Sequence, residues 1–169
     1  MRAAFKTPYI SLFSLVISLF AVLTFSCNNN KCKYVSCANG GICNSGACTC
    51  IPGYEGALCE TVSRDRYIRT WLVWDSGSIA PIMVYTLSVT PDSPIVTQVW
   101  INNLYNYFTI PISGIVQVPS DDLLISPQSL MAKTVSGTGN YDTSVHLYLN
   151  YNVIDSITGN VDYRTLKSL

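Results

Sequence analysis

The clearest strand signal in the chain is VHLYLNYNV, from Val145 to Val153. Apolar residues stand at every second position, with polar or aromatic residues between them. The first set is Val145, Leu147, Leu149, Tyr151 and Val153, and the second set is His146, Tyr148, Asn150 and Asn152. A period of two over this length predicts a β-strand with one buried face and one wetter face.

Segments on both sides show the same β character, and no segment shows a clear helical period. The further predicted strands run over 67–74, 82–90, 95–102, 107–112, 115–118 and 161–166, with Ser113-Gly114 separating two of them. Segments rich in glycine, asparagine or aspartate at 137–140 and 155–160 predict turns. Seven or eight short strands in about 100 residues predict an all-β antiparallel domain over 67–169. The pattern leaves a barrel and a sandwich both open.

Six cysteines lie close together upstream of this domain: Cys32, Cys37, Cys43, Cys48, Cys50 and Cys59. A segment this short cannot bury a sustaining apolar core, so we expect disulfides to stabilise it. Six cysteines allow 15 pairings, and spacing alone does not choose among them. Zinc is the rival use of clustered cysteines, but the Cys-x-Cys spacing disfavours it.

The residues between these cysteines resemble those of an epidermal growth factor-like (EGF-like) module. The matching features are Asn39-Gly40-Gly41, Cys48-Thr49-Cys50 and the ending from Gly53 to Cys59. The resemblance covers residues 32–60, and residues 61–66 follow as a short charged linker. The bridges that the resemblance implies are Cys32–Cys43, Cys37–Cys48 and Cys50–Cys59.

Two departures from well-known EGF-like modules limit what this one is expected to bind. Calcium-binding members carry acidic residues before the first cysteine, where this chain has Asn30-Lys31, so we expect no calcium or other metal. Growth-factor agonists carry arginine before the last cysteine, where this chain has Leu58. We therefore expect a spacer or interaction module, with Tyr54 and Leu58 as candidate partner contacts.

The N-terminal residues have the three parts of an export signal. Arg2 and Lys6 precede an uncharged apolar run that ends at Ser26. Leu23 to Cys27 resembles a relaxed bacterial lipobox, which implies cleavage after residue 26, lipidation (palmitate) of Cys27, and a short tether over 27–31. Lipidation also accounts for the odd seventh cysteine. An uncleaved anchor and ordinary cleavage after Ser26 remain alternatives.

The overall layout resembles Bacteroidetes-type lipoproteins in which an EGF-like module precedes a lipocalin-like or calycin-like β domain. The segments behind this resemblance are Tyr67–Trp71, Val135–Gly139 and Leu149–Val153. It implies an exported protein of the bacterial cell envelope, lipid-anchored at the outer membrane. It implies no known activity.

The composition and the titratable residues argue against several function classes. With 10 Lys and Arg against 10 Asp and Glu, the 169-residue chain has zero formal charge, so we expect no nucleic-acid partner. His146 is the single histidine and lies on a predicted strand without a nearby nucleophile. Asp121 and Asp122 are adjacent, which favours a solvated turn over a paired acid and base. We expect no enzymatic activity and no cofactor.

Aromatic and amide residues favour binding instead. The chain has 11 tyrosines and three tryptophans, and such residues can line a glycan or small-molecule site, although the interpretation that we prefer for most of them is that they fill and cover the β core. Trp100 and Tyr148 are the candidate contacts, because they alternate with the predicted core residues. Separately, Asp155-Ser156-Ile157 resembles a bacterial O-glycosylation acceptor, which makes Ser156 a candidate modification site.

The leading interpretation is a membrane-anchored envelope lipoprotein that acts as a binding or adhesion module without catalysis. Its partner would be a glycan or a protein. One alternative is a lipocalin-like carrier of a small apolar ligand or glycan. Another is a secreted EGF-like signalling protein.

Overall fold

The structure, a computed structural model, describes residues 30–142 and 144–169. They form a disulfide-rich EGF-like module followed by a closed antiparallel β-barrel, without an α-helix in either described range. A search of these residues finds no helix with the length and apolarity needed to cross a membrane. The predicted signal segment 1–26 and Cys27 lie outside the described residues.

The EGF-like module contains two short hairpins. Strands β1 (Ile42–Asn44) and β2 (Ala47–Thr49) pair with each other, as do β3 (Tyr54–Glu55) and β4 (Thr61–Val62). The three disulfides are Cys32–Cys43, Cys37–Cys48 and Cys50–Cys59, which is the pairing that the EGF-like resemblance implies. They take the place of a large apolar core in this small segment.

The β domain is a barrel rather than a sandwich. Its eight strands are β5 (Arg69–Gly77), β6 (Met83–Pro91), β7 (Gln98–Asn102), β8 (Ile112–Val116), β9 (Leu123–Leu130), β10 (Lys133–Tyr141), β11 (Leu147–Asp155) and β12 (Val161–Ser168). Each pairs antiparallel with its sequence neighbours, and β12 pairs with β5 to close the ring. Closure satisfies the strand edges that an open sheet would leave exposed.

The alternation predicted for β11 is present, with a shift at its start. Leu147, Leu149, Tyr151 and Val153 point into the barrel and are at most 4% exposed. Val145 does not join them, because it precedes the strand, has a φ of 68° and is half exposed. Inward residues of all eight strands, with Tyr67, Leu104 and Phe108 from the connecting segments, form one cluster of apolar side chains.

Two predicted breaks are instead parts of strands. Residues 137–140 lie within β10, and Ser113-Gly114 lies within β8. The glycines suggested turns, but they stand where neighbouring strands approach closely. A Cβ atom at Gly137 would lie 2.5 Å from the backbone oxygen of Asn150 on β11. These glycines therefore permit packing rather than chain reversal.

A 3₁₀ turn at Ser63–Arg66 connects the module to the barrel. Arg66 forms ion pairs with Glu55 of the module and with Asp121 of the barrel, the latter at 3.1 Å. Arg64 Nη1 donates to the carbonyl oxygens of Asp92 and Ile95 in the β6–β7 loop and of Gln98 at the start of β7. We call the barrel end that carries the module the proximal end and the opposite end the distal end.

Candidate functional site

The distal end of the barrel is closed from inside by a buried ion network. Arg164 on β12 donates through Nε to Asp75 Oδ1 at 3.0 Å and through Nη1 to Asp162 Oδ2 at 3.1 Å. The side chains of Arg164 and Asp75 are fully buried, and that of Asp162 is 6% exposed. Asp162 also accepts from the backbone N–H groups of Ile79 and Ala80, which hold the β5–β6 loop over the opening.

Tyrosines complete this network. The hydroxyls of Tyr85 and Tyr151 donate to Asp75 Oδ2 at 2.8 and 2.5 Å, and that of Tyr105 donates to Asp162 at 3.1 Å. Burial, reinforced by the neighbouring carboxylate, raises the pKa of Tyr85 and Tyr151 far above the usual range. These phenols remain neutral donors at physiological pH.

The network has the properties of a structural closure. Its charged groups have hydrogen-bond partners within the protein, and its two carboxylates face one guanidinium and three phenols. A buried network with satisfied members gives rigidity and uniqueness to a core. With the apolar cluster below it, the barrel interior is occupied by the protein's own side chains.

The outer face of β10, β11 and β12 is mostly polar, and Lys167 is its charged side chain among the described residues. We call the uncharged polar residues of this face the asparagine face: Ser136, Thr138, Asn140, Tyr148, Asn150, Asn152, Tyr163 and Thr165. The strand register places Thr138 opposite Asn150, and Asn150 opposite Thr165. A row of amides and hydroxyls thus crosses three adjacent strands.

Hydrogen bonds within this face occupy the acceptors of its amides. Ser136 Oγ donates to Asn152 Oδ1 at 2.7 Å, and Thr165 Oγ1 donates to Asn150 Oδ1 at 3.2 Å. Within the described part of the chain, the Nδ2 groups of both asparagines donate to no protein acceptor. The face therefore fixes the orientation of two amides and leaves their donors available to a ligand.

Two shallow grooves meet at Asn150. One, of about 340 Å³, runs along β11 and β12 beside Asn152, Tyr163 and Thr165. The other, of about 290 Å³, runs toward the proximal end beside Thr138, Asn140, Gln117 and Asp122. Because Asn150 lines both grooves, they form one path across the asparagine face.

Trp100 lines a separate groove of about 400 Å³ on β7, with Thr90, Asn102, Ile110 and Pro111. Asn102 Nδ2 donates to the backbone oxygen of Ser88 at 3.1 Å, so its amide is already engaged. This groove is more apolar than the asparagine face. Three strands separate β7 from β11 around the barrel, so Trp100 and Tyr148 do not share a site.

The structure places the other predicted residues apart from one another. Tyr54 is half-buried on β3 opposite Val62, whereas Leu58 is 45% exposed near the end of the module. Ser156 is exposed in the turn after β11, within the predicted turn 155–160, and its glycosylation stays a prediction. His146 lies before β11, with Nδ1 3.6 Å from Asp142 Oδ1. Among the described residues, no three metal-binding side chains converge.

Sequence reasoning missed most of the asparagine face. The polar half of the β11 alternation marked Asn150 and Asn152, but only Tyr148 was selected from it. The hydroxyls of Ser136 and Thr138 were not predicted as part of a binding surface, because the glycines beside them suggested a turn. The buried pair of Asp75 and Arg164 left no signal, since the two are 89 residues apart.

Comparison with known protein families supports the assignment of the N-terminal module as EGF-like. A family model described as a teneurin-like EGF domain matches residues 34–62. The match covers β1 to β4 and five of the six bridged cysteines, and it ends before the 3₁₀ turn. A comparison with curated proteins found no match to the chain. The EGF-like module is therefore established by its disulfides, its strands and this family likeness together.

Proposed function

We propose that this chain is a lipid-anchored protein of the bacterial cell envelope that binds a partner through the outer surface of its barrel. Cys27 supplies the anchor, the EGF-like module acts as a rigid spacer, and the barrel presents the contact surface. The activity is binding or adhesion without catalysis. Placement at the outer membrane rests on the resemblance to Bacteroidetes-type lipoproteins and belongs to the same proposal.

The observation that carries this proposal is the contrast between the two surfaces of the barrel. The inner surface is packed with apolar side chains and closed by the Arg164 network. The outer surface carries oriented amides whose donors are available. This contrast supports binding outside the barrel and gives no support to carriage of a ligand inside it. The absence of arginine at Leu58 likewise gives no support to receptor signalling.

The anchor is tested on the full chain expressed in a Gram-negative host. We expect the mature N-terminus to be a Cys27 carrying acyl chains, measured by mass spectrometry. Cys27→Ala should abolish acylation of the chain while leaving the barrel folded. An unmodified Cys27 in the mature protein would contradict the anchor.

The binding role is tested with cells that display the chain. We expect these cells to adhere to immobilised mucin, which offers both glycans and protein, more strongly than cells without the chain. The double variant Asn150→Ala/Asn152→Ala should lower adherence severalfold. The matched control Asn44→Ala/Thr86→Ala removes an exposed amide and an exposed hydroxyl elsewhere and should adhere like the parent. Equal adherence of both variants would refute binding through the asparagine face.

A further inference from the structure

We propose that the asparagine face binds an uncharged, extended glycan, with neighbouring sugar units in the two grooves that meet at Asn150. This inference rests on the proposed binding function and names the chemical class of the partner. Its grounds are the charge, the hydrogen-bonding groups and the shape of the face.

The charge near the two grooves is small and of mixed sign. None of the eight residues of the asparagine face is ionisable near neutral pH, and the one neighbouring cation on this outer face, Lys167, lies over the Tyr148 ring with Nζ 5.4 Å from its centroid. Arg164 contributes to the floor of one groove, but its side chain is fully buried. The acid that lines the second groove, Asp122, would repel phosphates, sulfates and uronic acids. The grooves are suited to a neutral ligand.

The hydrogen-bonding groups match sugar hydroxyls. A hydroxyl both donates and accepts, and the Nδ2 donors of Asn150 and Asn152 stand on neighbouring outward positions of β11. Their orientation is fixed by Thr165 and Ser136, so little side-chain entropy is lost when a ligand binds. Tyr163, which is 67% exposed, offers an aromatic ring beside these amides. Carbon-bound hydrogens of a sugar ring can pack against such a ring.

The shape of the face favours a chain of units over a single large ligand. The grooves have volumes of about 340 and 290 Å³ and share Asn150. Each is near the lower end of the roughly 300–1,000 Å³ range of small-molecule sites. A protein partner would instead require roughly 800 Å² of surface with an apolar centre. The asparagine face has amides and hydroxyls at its centre.

The test uses the full chain in detergent and a panel of uncharged oligosaccharides. Glucose, mannose and galactose polymers of increasing length are titrated by calorimetry, with polygalacturonate and hyaluronate as anionic comparisons. We expect binding to at least one uncharged series, with an affinity that rises with length and then levels off. Asn150→Ala/Asn152→Ala and Tyr163→Ala should each lower the affinity at least about tenfold, whereas Asn44→Ala/Thr86→Ala should leave it unchanged.

Near-ultraviolet circular dichroism of every variant establishes that the barrel is folded. Binding only to anionic polymers, no binding to any uncharged series, or equal affinity in all folded variants would each overturn the glycan assignment. If the displayed chain adheres through the asparagine face to deglycosylated mucin, and uncharged glycans do not compete, the binding function stands and the glycan assignment fails. If the asparagine-face variants change neither adherence nor titration, both proposals fail.

Discussion

At the scale of single residues, Arg164 decides how the barrel is closed. Its guanidinium lies between Asp75 and Asp162, and it also donates to the backbone oxygens of Asp75 and Ala80. Such a pair is costly to break, because removal of one partner leaves the other charge buried without compensation. The closure of the distal end therefore depends on one side chain.

Arg164→Met is expected to lower the free energy of unfolding by about 3–5 kcal/mol. The measurement is urea unfolding followed by tryptophan fluorescence. Lys167→Met on the same strand is the matched control, because Lys167 is exposed, and it should change stability by less than about 1 kcal/mol. Adding Asp75→Asn to the Arg164 variant should recover part of the loss. A loss below about 1 kcal/mol for Arg164→Met would show that the network contributes little.

The buried tyrosines predict that the stability of the barrel depends on pH in the alkaline range. Burial raises the pKa of Tyr67, Tyr85 and Tyr151, whereas the same groups ionise near pH 10 in the unfolded chain. Their stabilising contribution is therefore complete below about pH 10 and is lost as pH rises further. The free energy of unfolding should fall by about 1.4 kcal/mol per pH unit for each such tyrosine.

Urea unfolding between about pH 8 and pH 11 measures this slope. Tyr85→Phe should reduce the slope by one proton, whereas replacement of the exposed Tyr34 by Phe should leave it unchanged. Phenolate absorbance counts the ionising groups directly. If all 11 tyrosines titrate together near pH 10 in the folded protein, the burial argument is wrong.

At the scale of elements, β10 shows how glycine serves a strand. The register places Gly139 opposite Leu149, and a Cβ atom at Gly139 would overlap the Leu149 side chain. The Tyr148 backbone oxygen would be 2.8 Å away. A larger residue must therefore displace β11 or the core side chain beneath it, although the backbone at Gly139 is extended.

Gly139→Ala is accordingly expected to destabilise the barrel by about 1–3 kcal/mol through overpacking. The readout is the urea midpoint of the tryptophan signal. Ser126→Ala on the neighbouring strand β9 is the control, because Ser126 is exposed, and it should lie within about 0.5 kcal/mol of the parent. Equal midpoints for the two variants would mean that the strands can separate without cost.

The same strands explain what could be predicted from the sequence. Alternation predicted β11 because each inward position from Leu147 to Val153 is apolar. It failed on β10, where Gly137 and Gly139 stand at inward positions in place of bulky residues and resemble a turn. Alternation also gave no reason to expect Arg164 inside the barrel, because an inward charge breaks the pattern. Its partner Asp75 lies on β5, which is next to β12 in the barrel but 89 residues away in the sequence. The disulfide pairing was predicted through the resemblance to EGF-like modules, because the spacing alone leaves 15 pairings open.

At the scale of the whole molecule, the module and the barrel are stabilised in different ways. The three disulfides all lie in residues 32–59, and the barrel is held by its strand ladder and apolar cluster. Trp71, Trp74 and Trp100 all lie in the barrel. Tryptophan fluorescence therefore reports on the barrel, whereas reduction of the three disulfides acts directly on the module.

Mild reduction with dithiothreitol is expected to unfold the module while the barrel stays folded. Loss of each disulfide removes about 2–4 kcal/mol from a segment without a large core. Limited proteolysis should then cut within residues 31–59, with the tryptophan spectrum unchanged. A shift of that spectrum to the unfolded position upon reduction would show that the barrel requires the module.

The connection at Ser63–Arg66, which Arg64 and Arg66 hold through their contacts, would carry the load if the molecule were pulled. Tension between a held N-terminus and a ligand on the barrel would pass through the cross-linked module, the Arg64 and Arg66 contacts and then the proximal end of β5. The three disulfides limit how far the module can extend, and the Arg64 and Arg66 contacts oppose rotation of the barrel relative to the module. Under the proposed anchoring, these contacts would keep the module and the barrel in one orientation relative to each other while a partner pulls on the barrel.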